Sequence, residues 1–291
     1  MMQKLLIFQS VWAMERLNGN GPEPRLEENI ARIAEAGFDG ISAHYTDRAD
    51  VRRLNEAISG TGLRIEGVCF PRNVDDLHHT LELAQEFPVS HIDLQADIRP
   101  RRVEDCLPLL DGWMRLAEEA GVPVYIETHR NRITSDLLFT LDLLEQRPDL
   151  PLLADLSHYL VAREFAFPVE DESHRQIHRI LHNAQAFHGR IGSCEQIQIE
   201  ISFAHHRPWV DLFLEWWDYG FRHWRSRAPD TAELVFTCEL GPRPYAITDR
   251  DGNDSTDRWA ESLWLKTMAQ SLWAQAARSA NTATAGADET C

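Results

Sequence analysis

Four short apolar runs in this chain each end in a polar cluster. Glu127-Thr128-His129 follows 122–126, Asp155-Leu156-Ser157-His158 follows 152–154, His188-Gly189-Arg190 follows 184–187, and Glu239 follows 234–238. Glu127, Asp155, His188 and Glu239 together offer three carboxylates and one imidazole, a ligand set for one divalent cation. Such a set suits a fairly hard ion: Mn²⁺ first, with Mg²⁺, Co²⁺ or Zn²⁺ open. It leaves room for two oxygens of a hydroxy-ketone, whose carbon-bound proton the ion would acidify through a metal-stabilised enediolate. Glu127 and Glu239 are assigned as ligands that double as acid and base, returning the proton to the same carbon or a neighbour. His158 and Arg190 are placed on substrate oxygens, where they stabilise negative charge. One carboxylate at the end of a strand is ordinarily a surface or salt-bridged residue; four such signals in succession argue for a shared site.

Other polar residues read less sharply. His129 is either a partner of a ligand or a substrate contact. His44 either lines the mouth of the site or is a satisfied structural histidine, and Trp12 offers an apolar wall for a sugar ring. His174, His178 and His182 have helical spacing and read as a partly exposed helix face rather than a metal stripe. Trp216, Trp217, Trp224, Trp264 and Trp273 read as helix packing or a subunit contact.

Positioning these clusters takes a repeating strand–helix chain. Strands are expected at 4–9, 40–44, 64–69, 91–95, 122–127, 152–155, 184–190 and 234–239, several of them continuous apolar runs typical of strands covered on both faces. Helical spacing fills 26–36, 47–59, 74–86, 103–120, 137–145, 211–226 and 256–277, with stops at Gly37, Gly60, Pro88 and Gly121. Eight strands alternating with helices predict a single (β/α)8 TIM barrel over residues 1–280, with 281–291 as a disordered tail. The rival, an open doubly wound sheet, lacks a Gly-rich fingerprint after the first strand. The segments 163–172 and 191–208 are long for βα connections and are candidate substrate-covering loops.

Bulk properties fit a soluble enzyme. The 291 residues are 43% hydrophobic and 26% charged, and the net charge of −17 repels a phosphate backbone, so no nucleic-acid partner is expected. No apolar stretch is long enough for a membrane span, and the N-terminal run is too short for a signal peptide. Five cysteines without a CxxC pair point to a reducing, cytoplasmic setting. The expected partner is a small carbohydrate, and the tryptophan-rich C-terminal half is a candidate homodimer contact.

The motifs Tyr125-Ile126-Glu127-Thr128-His129, Ala154-Asp155-Leu156-Ser157-His158, Phe187-His188-Gly189-Arg190 and Cys238-Glu239-Leu240-Gly241-Pro242 resemble those of the xylose isomerase-like barrel superfamily, the sugar phosphate isomerase/epimerase and endonuclease IV-like group. The site pattern is most similar to ketose 3-epimerases. That resemblance implies Mn²⁺ or Co²⁺ held by Glu127, Asp155, His188 and Glu239, proton transfer by the two glutamates, and substrate contacts from His158 and an arginine beyond the ligand histidine. Arg190 stands two residues after His188, closer than in the ketose epimerases, and the 241–245 stretch also differs from theirs.

The leading expectation is a metal-dependent isomerase or epimerase of a ketose or keto-sugar derivative. A lyase or dehydratase acting on a keto-inositol or keto-glycoside would begin with the same proton abstraction. A non-catalytic carbohydrate-binding barrel is the third alternative.

Overall fold

The computed structural model describes residues 3–17 and 21–285, with side chains as far as 278. Eight parallel strands close into a barrel in sequence order, β1 pairing with β8. They are β1 Lys4–Ser10, β2 Gly40–His44, β3 Arg64–Cys69, β4 His91–Leu94, β5 Val124–Glu127, β6 Leu152–Ala154, β7 Ala184–Gly189 and β8 Glu233–Cys238. Each lies within two residues of its expected bounds. The helices are α1 Leu26–Glu35, α2 Arg48–Ile58, α3 Asp76–Glu86, α4 Leu107–Ala120, α5 Leu137–Gln146, α6 Ser157–Ala162, α7 Asp171–Leu181, α8 Arg207–Arg227 and α9 Arg258–Ala285. Since α9 runs to Ala285, the tail assigned from 281 begins inside it; residues 286–291 lie outside the described residues. Among the described residues no helix is long and apolar enough to cross a membrane.

Strand parity explains where the site forms. Successive side chains of a strand point to opposite faces, so every second residue enters the barrel. Leu6, Phe8, Leu153, Ala186 and Val235, with Tyr125 against them, form a small apolar cluster separate from the main core. Two residues further along the same strands stand Glu127 after Tyr125, Asp155 after Leu153, His188 after Ala186 and Thr237 after Val235. The barrel interior is thus an apolar plug beneath a polar layer at the C-terminal ends of the strands, where barrel enzymes build their sites. The other parity carries the main core between sheet and helices, including Ile7, Ile41, Ile65, Ile92, Ile126, Phe187 and Phe236.

α8 shows why the tryptophans matter. Trp216, Trp217 and Trp224 are buried, and Trp217 meets Phe236 of β8 edge-on at 5.1 Å. His178 stacks on Tyr219 at 3.6 Å, and His182 on His223 at 4.1 Å. The histidine stripe of α7 is therefore a seam between two helices.

Two loops are tied down by buried polar groups. The Arg258 guanidinium donates to the carbonyls of Ala13 (2.6 Å), Glu15 (2.7 Å) and Leu240 (3.0 Å), stitching the segment after β1 to the segment after β8. Glu261 accepts from the Ile201 amide at 3.2 Å and anchors the long connection after β7 to α9.

Two predictions follow from this packing. A Cβ on Gly189 would lie 2.4 Å from the Phe236 ring, itself wedged against Trp217 and Phe221. Gly189→Ala should cost ~1–3 kcal/mol in urea unfolding, because the ring has nowhere to go; unchanged stability would contradict this wedge. Burial raises the Glu261 carboxyl from 4.5 to about 7, against the Ile201 hydrogen bond and with help from Glu200. Its unfolded pKa is lower, so the folded state holds the proton longer, and stability falls as pH rises from about 4.5 to 7 and stays lowered above. Glu261→Gln should raise the calorimetric Tm over wild type by a few degrees at pH 8 and leave it unchanged at pH 4. An equal difference at both pH values would refute it.

Candidate metal and substrate site

The ligand atoms of Glu127, Asp155, His188 and Glu239 all lie within 4.8 Å of one another. They come from β5, the end of β6, β7 and the end of β8. His188 Nδ1 is 3.3 Å from Glu127 Oε1 and 3.1 Å from Glu239 Oε2. Both distances suit charge attraction, yet the alignment is poor. Neither Glu127 oxygen nor His188 Nδ1 makes a hydrogen bond. Buried polar atoms left this way are costly and call for another partner. Three converging carboxylates and an imidazole nitrogen, several of them unpaired, fit a divalent cation.

The Asp155 carboxylate is aimed by its neighbours. Oδ1 accepts from the Ser157 amide (3.0 Å) and hydroxyl (2.6 Å). Oδ2 faces Arg190 at 3.1 Å and His158 Nε2 at 3.5 Å. Thr128 ties the ends of β5 and β6 together, its hydroxyl donating to the Asp155 carbonyl (2.8 Å) and accepting from the Asp155 amide (2.9 Å). The Arg190 guanidinium also pairs with Glu239, while its Nη1 is buried without a partner.

Two interior acids escaped the sequence reading. Glu66 of β3 is fully buried, and its Oε1 lies 3.0 Å from His188 Nε2. Its Oε2 lies 2.8 Å from His91 Nε2 and accepts from the Thr237 hydroxyl at 3.0 Å. Asp93 of β4 is also fully buried, and its Oδ1 has no partner. A single acid inside a strand looks like an outward-facing residue. The missed signal was parity: in a barrel covered by helices, neither face of β3 or β4 is wet.

Electrostatics divides the acids. Burial pushes the Glu127 carboxyl up to about 7, partly offset by His188. Burial likewise raises Asp155, and raises Asp93 well above the usual range with Glu127 adding to it. Burial would also raise Glu239, but Arg190 and His188 outweigh it and hold this carboxyl at about 2. Glu66 is held low against its burial by His188 and His91. His188 is raised well above the ordinary imidazole value: burial opposes its charge, but Glu239 and Glu66 prevail. Burial lowers His158 strongly and His129 to about 4, leaving both neutral near pH 7.

A cavity of about 460 Å³ opens beside this cluster, its wall including Glu239, Arg190, His129, Trp12, His44 and Phe70. Tyr245 completes the wall, edge-on to Trp12 at 5.2 Å and with the Arg190 guanidinium 5.1 Å from its ring. His158 lies behind His129, ring centroids 3.9 Å apart, and neither of its nitrogens is hydrogen-bonded. All nine residues singled out in the sequence therefore meet the cluster or its cavity. Trp12 and His44 reach only the cavity, and Tyr245 joins them from the 241–245 stretch.

No family profile matches the chain, and no curated protein matches it by sequence. Solved structures match it along nearly its whole length. A 3-keto-D-glucoside 4-epimerase from E. coli superposes with a TM-score of 0.55 at 16% identity, over 91% of this chain and 100% of that one. A D-psicose 3-epimerase gives 0.58 at 11% identity, over 94% and 99%. A xylose isomerase-like TIM barrel protein from Mycobacterium smegmatis, in complex with magnesium, gives 0.54 at 11% identity, over 92% and 97%. At these identities what is shared is architecture, and the chain has the fold of the xylose isomerase-like TIM barrels.

Proposed function

We propose that this chain is a divalent-metal-dependent isomerase or epimerase of a ketose or keto-sugar derivative. The observation that carries the reading is the meeting of Glu127, Asp155, His188 and Glu239 around one point, with both Glu127 oxygens buried and without hydrogen bonds. The sugar epimerases among the structures of the same fold support it. Glu127, Asp155, His188 and Glu239 would hold the ion, Mn²⁺ ranking first. When bound, it would polarise a substrate carbonyl and offset the negative charge that grows as the neighbouring C–H proton leaves.

The chain's own groups supply the rest. Glu127, one of the converging carboxylates, is the group that takes and returns the proton. Glu239 stays ionised and belongs to another strand, three positions round the barrel from β5. A proton taken by one carboxylate and delivered by the other inverts a carbon centre; a proton moved by one alone to the adjacent carbon isomerises. His129, neutral and on the cavity wall, is placed to meet a substrate hydroxyl, and His158, neutral and unpaired against its ring, is the next donor inward for a substrate oxygen that enters the cluster. Arg190 keeps its charge, since Glu239 and Asp155 outweigh its burial, and Nη1 remains to meet a substrate oxygen. Trp12 and Tyr245 present flat apolar surfaces for the C–H face of a sugar and exclude water from the acids.

Three measurements test this reading. EDTA treatment should abolish turnover of an active ketose, and Mn²⁺ should restore it. Glu127→Gln and Glu239→Gln should each slow exchange of a substrate carbon-bound hydrogen with heavy water by ~10²–10⁴-fold. Full exchange in both variants defeats the base assignments. Mass spectrometry of the product separates chemistries, because loss of water or an aglycone would identify a lyase. Saturable sugar binding with neither metal uptake nor turnover would identify a binding protein.

A further inference from the structure

Glu66 is the most demanding residue in the interior. It is a carboxylate with no solvent exposure, outside the cavity wall, in a layer where an aliphatic side chain would be cheaper. Three hydrogen-bonding contacts hold it. Oε1 is used for His188 Nε2 at 3.0 Å, while Oε2 is held by His91 Nε2 at 2.8 Å and the Thr237 hydroxyl at 3.0 Å. The carboxylate is therefore fixed at both oxygens and cannot swing away from His188. His91 is fixed in turn by stacking on Tyr125, ring centroids 4.8 Å apart, two residues before Glu127 on the same strand.

We propose that Glu66 is a positioning residue for the cation site, gripping His188 by Nε2 so that Nδ1 is the nitrogen presented to the ion. The inference rests on the metal-site reading above. To hold an ion His188 gives up its second proton; the neutral imidazole then has one N–H and one lone pair, and a carboxylate facing Nε2 keeps the N–H there. The lone pair then belongs to Nδ1, which lies 3.3 Å from Glu127 and 3.1 Å from Glu239, in the midst of the other ligands. The same carboxylate makes the imidazole a stronger donor and fixes the plane of its ring. β3, which contributes no ligand, thereby sets the aim of the ligand on β7, and Thr237 of β8 locks the brace.

The test is metal affinity of the full chain, read without turnover. Metal-free protein is titrated with MnCl₂ by calorimetry and with CoCl₂ by visible absorption. Glu66→Ala should weaken Mn²⁺ binding ~10–100-fold and change the Co²⁺ spectrum as His188 turns. Glu66→Gln, which retains an acceptor for the Nε2–H, should recover part of that loss. Thr237→Val, nearly isosteric and able to fold even where Glu66→Ala does not, should weaken binding a few-fold by loosening Oε2. Wild-type Mn²⁺ affinity and an unaltered Co²⁺ spectrum in every variant that folds would overturn the proposal. Wild-type protein that binds neither ion is a separate result; it removes the cation site itself and this role with it.

Discussion

Like charge confined in a small dry volume governs this barrel. Glu66, Asp93, Glu127 and Asp155 are buried and Glu239 nearly so, all around the single imidazole of His188 and the guanidinium of Arg190. Two carboxylates about 4 Å apart repel by roughly 4 kcal/mol at an effective dielectric near 20. No fold collects such groups for stability, since packed aliphatic side chains would do better. His188 and Arg190 share their charge unevenly: Glu239 and Glu66 are held low, while burial prevails at Glu127, Asp155 and Asp93 and raises them. The separation of Glu127 from Glu239, one near neutrality and one held low, is a by-product of that uneven sharing.

The cost is borne by a rigid surround. Beneath the polar layer, Leu6, Phe8, Leu153, Ala186 and Val235 fill the barrel. Outside it, Trp217 and Phe221 press on Phe236, and that ring leaves space only for a glycine beside His188. Above it, Gln198 bonds Gly241 at both its amide (2.8 Å) and its carbonyl (3.1 Å), joining the loops after β7 and β8. Together with the Arg258 stitch, these contacts keep the segments that carry Trp12, Glu239 and Tyr245 in one frame.

Most of this was legible in the residues themselves. An apolar run covered on both faces and ended by a polar cluster is a strong pattern, and it located all eight strands and the four side chains that converge. Glu66 and Asp93 were not legible, because one acid within a strand resembles a solvent-facing position until closure of the sheet shows that the strand has none. The six-residue α6 was hidden for another reason: Ser157 and His158 read as the tail of a ligand motif, and they are also its first turn. Arg190 stood out by spacing alone, but its grip on both Asp155 and Glu239 needed three strands in place.

The cavity wall draws on both halves of the chain, the four converging groups on the second alone. The three converging acids and the imidazole come from β5 to β8, whereas part of the cavity wall comes from the segments at the ends of β1, β2 and β3, through Trp12, His44 and Phe70. Changes at Trp12, His44 and Phe70 can therefore reshape which guest is admitted while the converging groups, and the Glu66 brace behind them, stay intact. A barrel partitioned this way can diversify its diet without having to reinvent its chemistry.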